Sequence, residues 1–71
     1  MELSARDHLG GTIAAITLGG VMAEVTIDIG GGQTIVSAIT RGSVERMGLI
    51  VGQQVVAIIK ATEVMIGKSA E

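Results

Sequence analysis

The sequence predicts an all-β fold, a small β-barrel of five or six short strands with one short helix. Apolar and polar residues alternate with a period of two between positions 21 and 29. Glycine clusters at positions 19–20 and 30–32 separate β-branched, apolar runs, which is typical of hairpins. With 71 residues, the chain has room for a single domain spanning residues 1–71. A Greek-key sandwich is the alternative arrangement of the same strands.

The first half of the chain is predicted to form three strands joined by two hairpins. A β-branched run at residues 11–18 ends at Gly19-Gly20, and the alternating strand follows directly. Residues 30–32, all glycine, end this second strand, and residues 33–40 form the third. Glycine permits the positive φ angles that tight hairpin turns require. The apolar residues of the second strand are predicted to face the core: Val21, Ala23, Val25, Ile27 and Ile29.

A short helix and two more strands are predicted in the second half. Residues 43–47 suit a helix, with Thr40 or Ser43 as its N-cap and Gly48 at its C-terminal end. Residues 53–61 form a strand so apolar in its middle that we expect both of its faces to be buried. Residues 64–66 predict a last short strand before a polar tail. These elements favour a closed or partly closed barrel of the oligonucleotide/oligosaccharide-binding (OB) type.

Composition argues against several classes of function. The net charge is −2 with only five Lys and Arg and no aromatic residue, so nucleic-acid binding is not expected. The absence of cysteine excludes disulfides and thiolate metal sites. The longest uncharged stretch, residues 9–23, is too short and polar to span a membrane. No apolar segment typical of a signal peptide follows the first residues, and we expect a cytoplasmic protein.

The chain is predicted to be an obligate homo-oligomer and not an enzyme. A 71-residue chain builds only a marginal core, yet 48% of its residues are hydrophobic. We therefore expect part of the apolar surface to be buried between subunits. The lone His8 has no partner for nucleophilic or metal chemistry in the sequence. The carboxylates are scattered, and no acid–base pair is defined among Glu24, Asp28, Glu45 and Glu63.

Short polar clusters lie at the two ends of the β-rich region, at residues 4–7 and 60–63. In an extended segment Ser4 and Arg6 project to one face and Asp7 to the other. Lys60 ends the most apolar strand, where a cation requires either an anion or solvent. An anion site is one interpretation of these residues. Solvated or salt-bridged side chains are the commoner alternative.

A longer pattern resembles a known family. It consists of Ser4-Ala5-Arg6, Leu9, Gly11, Ala23-Glu24-Val25, Gly31-Gly32, Ile39-Thr40, Ser43-Val44, Gly52 and the run from Val56 to Met65. In this order and spacing, over nearly the whole of residues 3–66, the sequence resembles the molbindins. These are small molybdate-binding Mop domains related to the TOBE domains of molybdate transport and regulation.

The resemblance implies an OB-like barrel that assembles as a hexamer, a trimer of dimers, and holds molybdate or tungstate between subunits. It implies that the ligands are the Ser4 hydroxyl, Arg6, Lys60 and backbone amides near Ala5 and Ala61, without a further cofactor. Asp7 stands where the family commonly has asparagine, and Ala61 stands where some members have serine. The implied function is intracellular storage and homeostasis of the oxyanion. A molybdate-responsive regulatory or protein-interaction module is the alternative.

Overall fold

The computed structural model describes residues 6–70, which form one antiparallel sheet of four strands. The sheet order is β3-β2-β1-β4, so β3 and β4 are its two edges, and the curled sheet is a half-barrel. The all-β, OB-like fold class is therefore confirmed. The elements in chain order are β1 (Asp7–Leu18), β2 (Met22–Gly30), β3 (Gln33–Thr40), α1 (Arg41–Met47), β4 (Gln54–Ile59) and a 3₁₀ turn (Ala61–Glu63).

Strand β1 is long enough to pair with two neighbours in succession. Its first half, from Asp7 to Thr12, pairs with β4, and its second half, from Thr12 to Leu18, pairs with β2. A register shift between Ile13 and Ala15 lies in the second half. The strand begins at Asp7 and not at residue 11 as predicted. Residues 6–70 thus contain four strands and not five or six, because the last predicted strand, residues 64–66, does not form.

The predicted hairpins and helix are confirmed in position. Gly30, Gly31 and Gly32 all have positive φ, between 63° and 93°, as the β2–β3 turn requires. The helix α1 is capped by Thr40, whose Oγ1 accepts a hydrogen bond from the Ser43 amide at 3.0 Å. It ends at Gly48 in the left-handed conformation. Within residues 6–70, no helix has the length and apolar character that crossing a membrane requires.

The core lies on the concave face of the sheet and is small. Its buried members are Ile13, Ala23, Val25, Ile27, Val44 and Ala57. The predicted inward face of β2 is confirmed for Ala23, Val25 and Ile27, and Ile29 packs partly buried against them. The prediction for Val21 is wrong, because β2 begins at Met22 and Val21 lies in the preceding turn, 75% exposed.

Two predictions for the C-terminal third are also wrong. Strand β4 ends at Ile59, and its burial alternates: Ala57 is buried, whereas Val56 and Ile58 are 46% and 44% exposed. The expectation that both faces are buried fails because, within residues 6–70, the core packs only against the Ala57 face of β4. Residues 64–66 form no strand, since no neighbouring strand of residues 6–70 pairs with them.

Candidate functional site

Pairing of β1 with β4 brings two cationic residues from opposite ends of the chain together. Asp7 and Ile59 form the terminal pair of this ladder. Arg6 directly precedes Asp7, and Lys60 directly follows Ile59, so each cation lies one residue beyond the last pair of the ladder. Of the two, Arg6 lines the depression described next and Lys60 does not. The register of one strand pair therefore places both predicted cationic ligands at one end of the sheet.

A surface depression of about 440 Å³ lies at this end. Arg6 and Asp7 line it together with His8, and Leu9, Ile59 and Val64 form apolar walls. Arg6 and Lys60 are both exposed. These apolar walls could not be predicted from the sequence, because Leu9 and Ile59 become neighbours only through the register of β1 and β4.

Within residues 6–70, neither Arg6 nor Lys60 forms a salt bridge with a carboxylate. The salt bridge described within these residues lies on the surface of α1, where Nε of Arg41 is 3.1 Å from Oε1 of Glu45. An anion bound at this end of the sheet would therefore meet two cations that have no carboxylate partner within residues 6–70.

Asp7 brings an acceptor into the same depression. Strand alternation predicts that the Asp7 carboxylate turns away from the face of Ser4 and Arg6. The four consecutive residues from Arg6 to Leu9 all line this depression, so this orientation stays a prediction. An ionised carboxylate has no hydrogen to donate. Asp7 is therefore the unfavourable member of the site for an anion.

The backbone at the end of β4 turns sharply. Lys60 is extended, with φ −71° and ψ 138°, and the 3₁₀ turn begins at the next residue. The Glu63 amide donates to the Lys60 carbonyl at 2.9 Å, so this hydrogen bond of the turn does not use the amide of Ala61. Amides at the start of a helical turn have no partner within the turn. The Ala61 amide thus lies directly beside Lys60 as a further donor.

The structure therefore describes three of the five predicted ligand residues. Arg6, Lys60 and Ala61 lie at the same end of the β1–β4 pair, whereas Ser4 and Ala5 lie outside the described residues. Within residues 6–70, no three His, Asp or Glu side chains cluster as a cation site would require. The polar residues at this end of the sheet include the cations Arg6 and Lys60 and also the carboxylate residues Asp7 and Glu63.

Comparison with known proteins identifies relatives of the same size. The TOBE domain model matches residues 3–66. A probable molybdenum-pterin-binding protein of Haemophilus influenzae is 46% identical over 67 residues, which cover 94% of this chain and 97% of the relative. The match in both directions shows that the similarity covers the domain from end to end.

Solved structures agree with this assignment. A molybdate-binding protein from Sporomusa ovata has a TM-score of 0.89 and 40% identity, with 96% of this chain and all of the other chain covered. The cytoplasmic molybdate-binding protein ModG, solved with molybdate bound, has a TM-score of 0.81 and 44% identity. That match covers 86% of this chain and 43% of the ModG chain. The chain belongs to the TOBE domain family and, within it, to the molbindins.

Proposed function

We propose that this protein binds molybdate or tungstate in sites between the subunits of a homo-oligomer and serves as an intracellular store of the oxyanion. The observation that carries this proposal is that Arg6 and Lys60 each lie one residue beyond the terminal Asp7–Ile59 pair of β1 and β4. Two neighbouring cations without carboxylate partners in residues 6–70 match the charge of a dianion. The molybdate named for related structures supports the ligand class.

The proposed ligands are the Arg6 and Lys60 side chains, the Ser4 hydroxyl, and the amides of Ala5 and Ala61. Each charge-assisted hydrogen bond contributes about 1.5–3 kcal/mol. Several such bonds reach a micromolar dissociation constant, about −8 kcal/mol, after the cost of ordering the side chains. A second subunit is needed to enclose the anion, because the depression is open and both cations are exposed in the single chain.

A donor set of this kind selects among oxyanions. Molybdate and tungstate are unprotonated tetrahedral dianions at neutral pH, so every oxygen can accept a hydrogen bond. Hydrogen phosphate carries a proton that would need an acceptor, and a pocket built of donors gives it none. Sulfate is also fully ionised, but its shorter bonds leave stretched hydrogen bonds in a rigid pocket sized for molybdate.

The name of the Haemophilus influenzae relative suggests a second candidate ligand, a complex of molybdenum with a pterin. A pterin is a flat aromatic ring system, and proteins commonly hold such rings by stacking against aromatic side chains. This chain has no Phe, Trp or Tyr. The composition therefore favours the inorganic oxyanion, and we propose that the protein binds it without catalysing a reaction.

The assembly we propose is a trimer of dimers in the cytoplasm. Thirteen large hydrophobic side chains within residues 6–70 are exposed, among them Val21, Ile50 and Ile66, whereas only six residues form the buried core. A monomer would keep this apolar surface in water. An interaction module regulated by molybdate is the second candidate, favoured by a 38% identical match that covers 24% of a longer molybdenum transport protein, ModE of Herbaspirillum seropedicae.

Isothermal titration of the purified protein with molybdate, tungstate, sulfate and phosphate tests the ligand assignment. We expect saturable binding of molybdate and tungstate, with sulfate and phosphate at least about tenfold weaker, a difference of about 1.4 kcal/mol. Absence of saturable molybdate binding would overturn the proposal. Affinity capture from a cell extract with and without molybdate separates the two roles, since a molybdate-dependent protein partner would favour the regulatory module over the store.

A further inference from the structure

His8 lies beside the proposed oxyanion site but has no part in the proposed ligand set. It lines the depression of about 440 Å³ together with Arg6 and Asp7. Arg6 and His8 are exposed, whereas Asp7 is only partly exposed. The imidazole therefore belongs to the polar surface that a ligand in this depression would meet.

The register of β1 and β4 defines the face of the sheet to which His8 belongs. His8 pairs with Ile58, and the next pair joins Leu9 to Ala57. Ala57 is buried in the core, whereas Ile58 is 44% exposed. Successive pairs of a ladder project to opposite faces, so His8 and Ile58 lie on the outer face of the sheet. The imidazole is therefore not part of the apolar core.

The two proposed cationic ligands lie on either side of His8. Arg6 precedes it by two residues, and alternation in an extended chain gives both side chains the same direction. Lys60 lies two residues beyond Ile58, the partner of His8, and its backbone is extended at φ −71° and ψ 138°. Such diagonal neighbours are about 7–8 Å apart, within reach of long side chains. An anion that contacts both cations therefore comes close to the imidazole.

The chemistry of the imidazole suits an anion. The ring carries an N–H donor in both of its protonation states, since the neutral form has one and the imidazolium has two. Asp7 lines the same depression but has no hydrogen to donate when it is ionised. Among the residues of 6–70 that line the depression, the side chains that can donate a hydrogen bond to an oxyanion are thus Arg6 and His8.

We propose that His8 is a further ligand of the oxyanion and donates a ring N–H to one of its oxygens. This assignment rests on the proposed function, because it places His8 in the same site. A tetrahedral oxyanion has four oxygens, so it accepts from the imidazole in addition to the guanidinium of Arg6 and the ammonium of Lys60. The bond is made to oxygen and not to the metal, so it strengthens the binding of molybdate and tungstate alike.

Calorimetric titration of three variants with molybdate and tungstate, all at one pH, tests this role. His8→Leu removes the ring N–H, whereas His8→Gln keeps a donor in its amide. Thr12→Val is the matched control, because Thr12 is exposed and lies at the opposite end of the β1–β4 ladder. We expect His8→Leu to bind both anions about tenfold more weakly, His8→Gln to lie in between, and Thr12→Val to bind as the wild type does.

A second measurement distinguishes a ligand from a residue that only supports the strand. The chain has one histidine, so the ring nitrogen resonances in a heteronuclear NMR spectrum belong to His8. We expect these resonances to shift saturably as molybdate is added to the wild type, with the dissociation constant that calorimetry gives. The urea midpoint of His8→Leu is expected to equal that of the wild type, because the side chain is exposed. Ring resonances that stay in place while molybdate saturates the protein would overturn the assignment.

Failure of this assignment differs from failure of the proposed function. If the wild type binds neither molybdate nor tungstate, the proposed function and the role of His8 both fail. If the wild type binds them and His8→Leu binds as tightly as Thr12→Val, the oxyanion site stands and His8 lies outside it.

Discussion

At the scale of single residues, two cations lie at one end of the sheet. Arg6 and Lys60 have no carboxylate partner within residues 6–70, and each lies one residue beyond the terminal Asp7–Ile59 pair. We propose that an oxyanion bound at this end accepts hydrogen bonds from both side chains.

Replacement of Arg6 by alanine is expected to weaken molybdate binding by about 10- to 150-fold, which corresponds to one charge-assisted hydrogen bond of about 1.5–3 kcal/mol. The side chain is exposed and outside the core, so the far-ultraviolet circular dichroism is expected to stay unchanged. Titration calorimetry measures the affinity. The matched control is Arg46→Ala, which removes an exposed guanidinium from α1. Equal affinity of Arg6→Ala and Arg46→Ala would remove Arg6 from the site.

Replacement of Asp7 by asparagine is expected to strengthen molybdate binding. The carboxylate lines the same depression as Arg6, and the amide removes a negative charge and supplies donors. We expect the gain to be several-fold at low ionic strength and smaller at about 1 M salt, where charges are screened beyond about 3 Å. Glu24→Gln, on the exposed face of β2, is the control for net charge. A weaker affinity for Asp7→Asn would show that the carboxylate supports the site.

The residues of the site could be named from the sequence, but their arrangement could not be derived from it. The family pattern pointed to Arg6 and Lys60, whereas their position at one end of the sheet depends on a register between the two ends of the chain. Local propensity does not determine such a register. The expected orientation of Asp7 away from Arg6 stays a prediction, because the residues that line the depression include both faces of the extended chain.

At the scale of elements, the turns and the helix follow from local chemistry, and the edge strands do not. Three consecutive glycines of positive φ define the β2–β3 turn, and Thr40 and Gly48 define the ends of α1. These features depend on a few neighbouring residues and are visible in the sequence. Burial of β4 and of residues 64–66 depends on what lies beside them. In the single chain, Val56 and Ile58 of β4 are therefore exposed, although the apolar sequence predicts that they are buried.

The close approach of β1 and β2 gives a test of the sheet. A Cβ at Gly11 would lie 2.5 Å from the Asp28 carbonyl oxygen and 2.6 Å from Cγ2 of Ile27. Gly11→Ala is therefore expected to destabilise the fold by about 1–3 kcal/mol, the usual cost of overpacking. Gly10→Ala is the matched control, because nothing lies within 4 Å of its Cβ position. Urea unfolding measures both, and equal midpoints would contradict the register that brings β1 against β2.

At the scale of the whole molecule, the chain is a half-barrel whose apolar surface exceeds its core. Within residues 6–70, six residues are buried, whereas large side chains such as Val21, Met47 and Ile50 are 62–75% exposed. The composition predicted this shortage, because a chain of 71 residues with 48% hydrophobic residues cannot cover its own surface. The sequence could not predict how the subunits assemble, because assembly depends on which edges and segments of several copies meet.

Thermal stability is expected to depend on protein concentration. If folding and association are coupled, the melting temperature rises with protein concentration, because only folded chains associate. Differential scanning calorimetry between about 1 and 100 µM measures the shift. A melting temperature that is constant for the wild type over this range would argue for a stable monomer.

The central claim is that a molybdate dianion is held where copies of this chain meet. Native mass spectrometry of the purified protein with added molybdate tests it most directly, since one spectrum reports both the number of chains and the number of bound anions. We expect molybdate to be retained by an oligomer and lost when the oligomer dissociates into single chains. Single chains that hold molybdate by themselves, or an oligomer that holds none, would contradict the account.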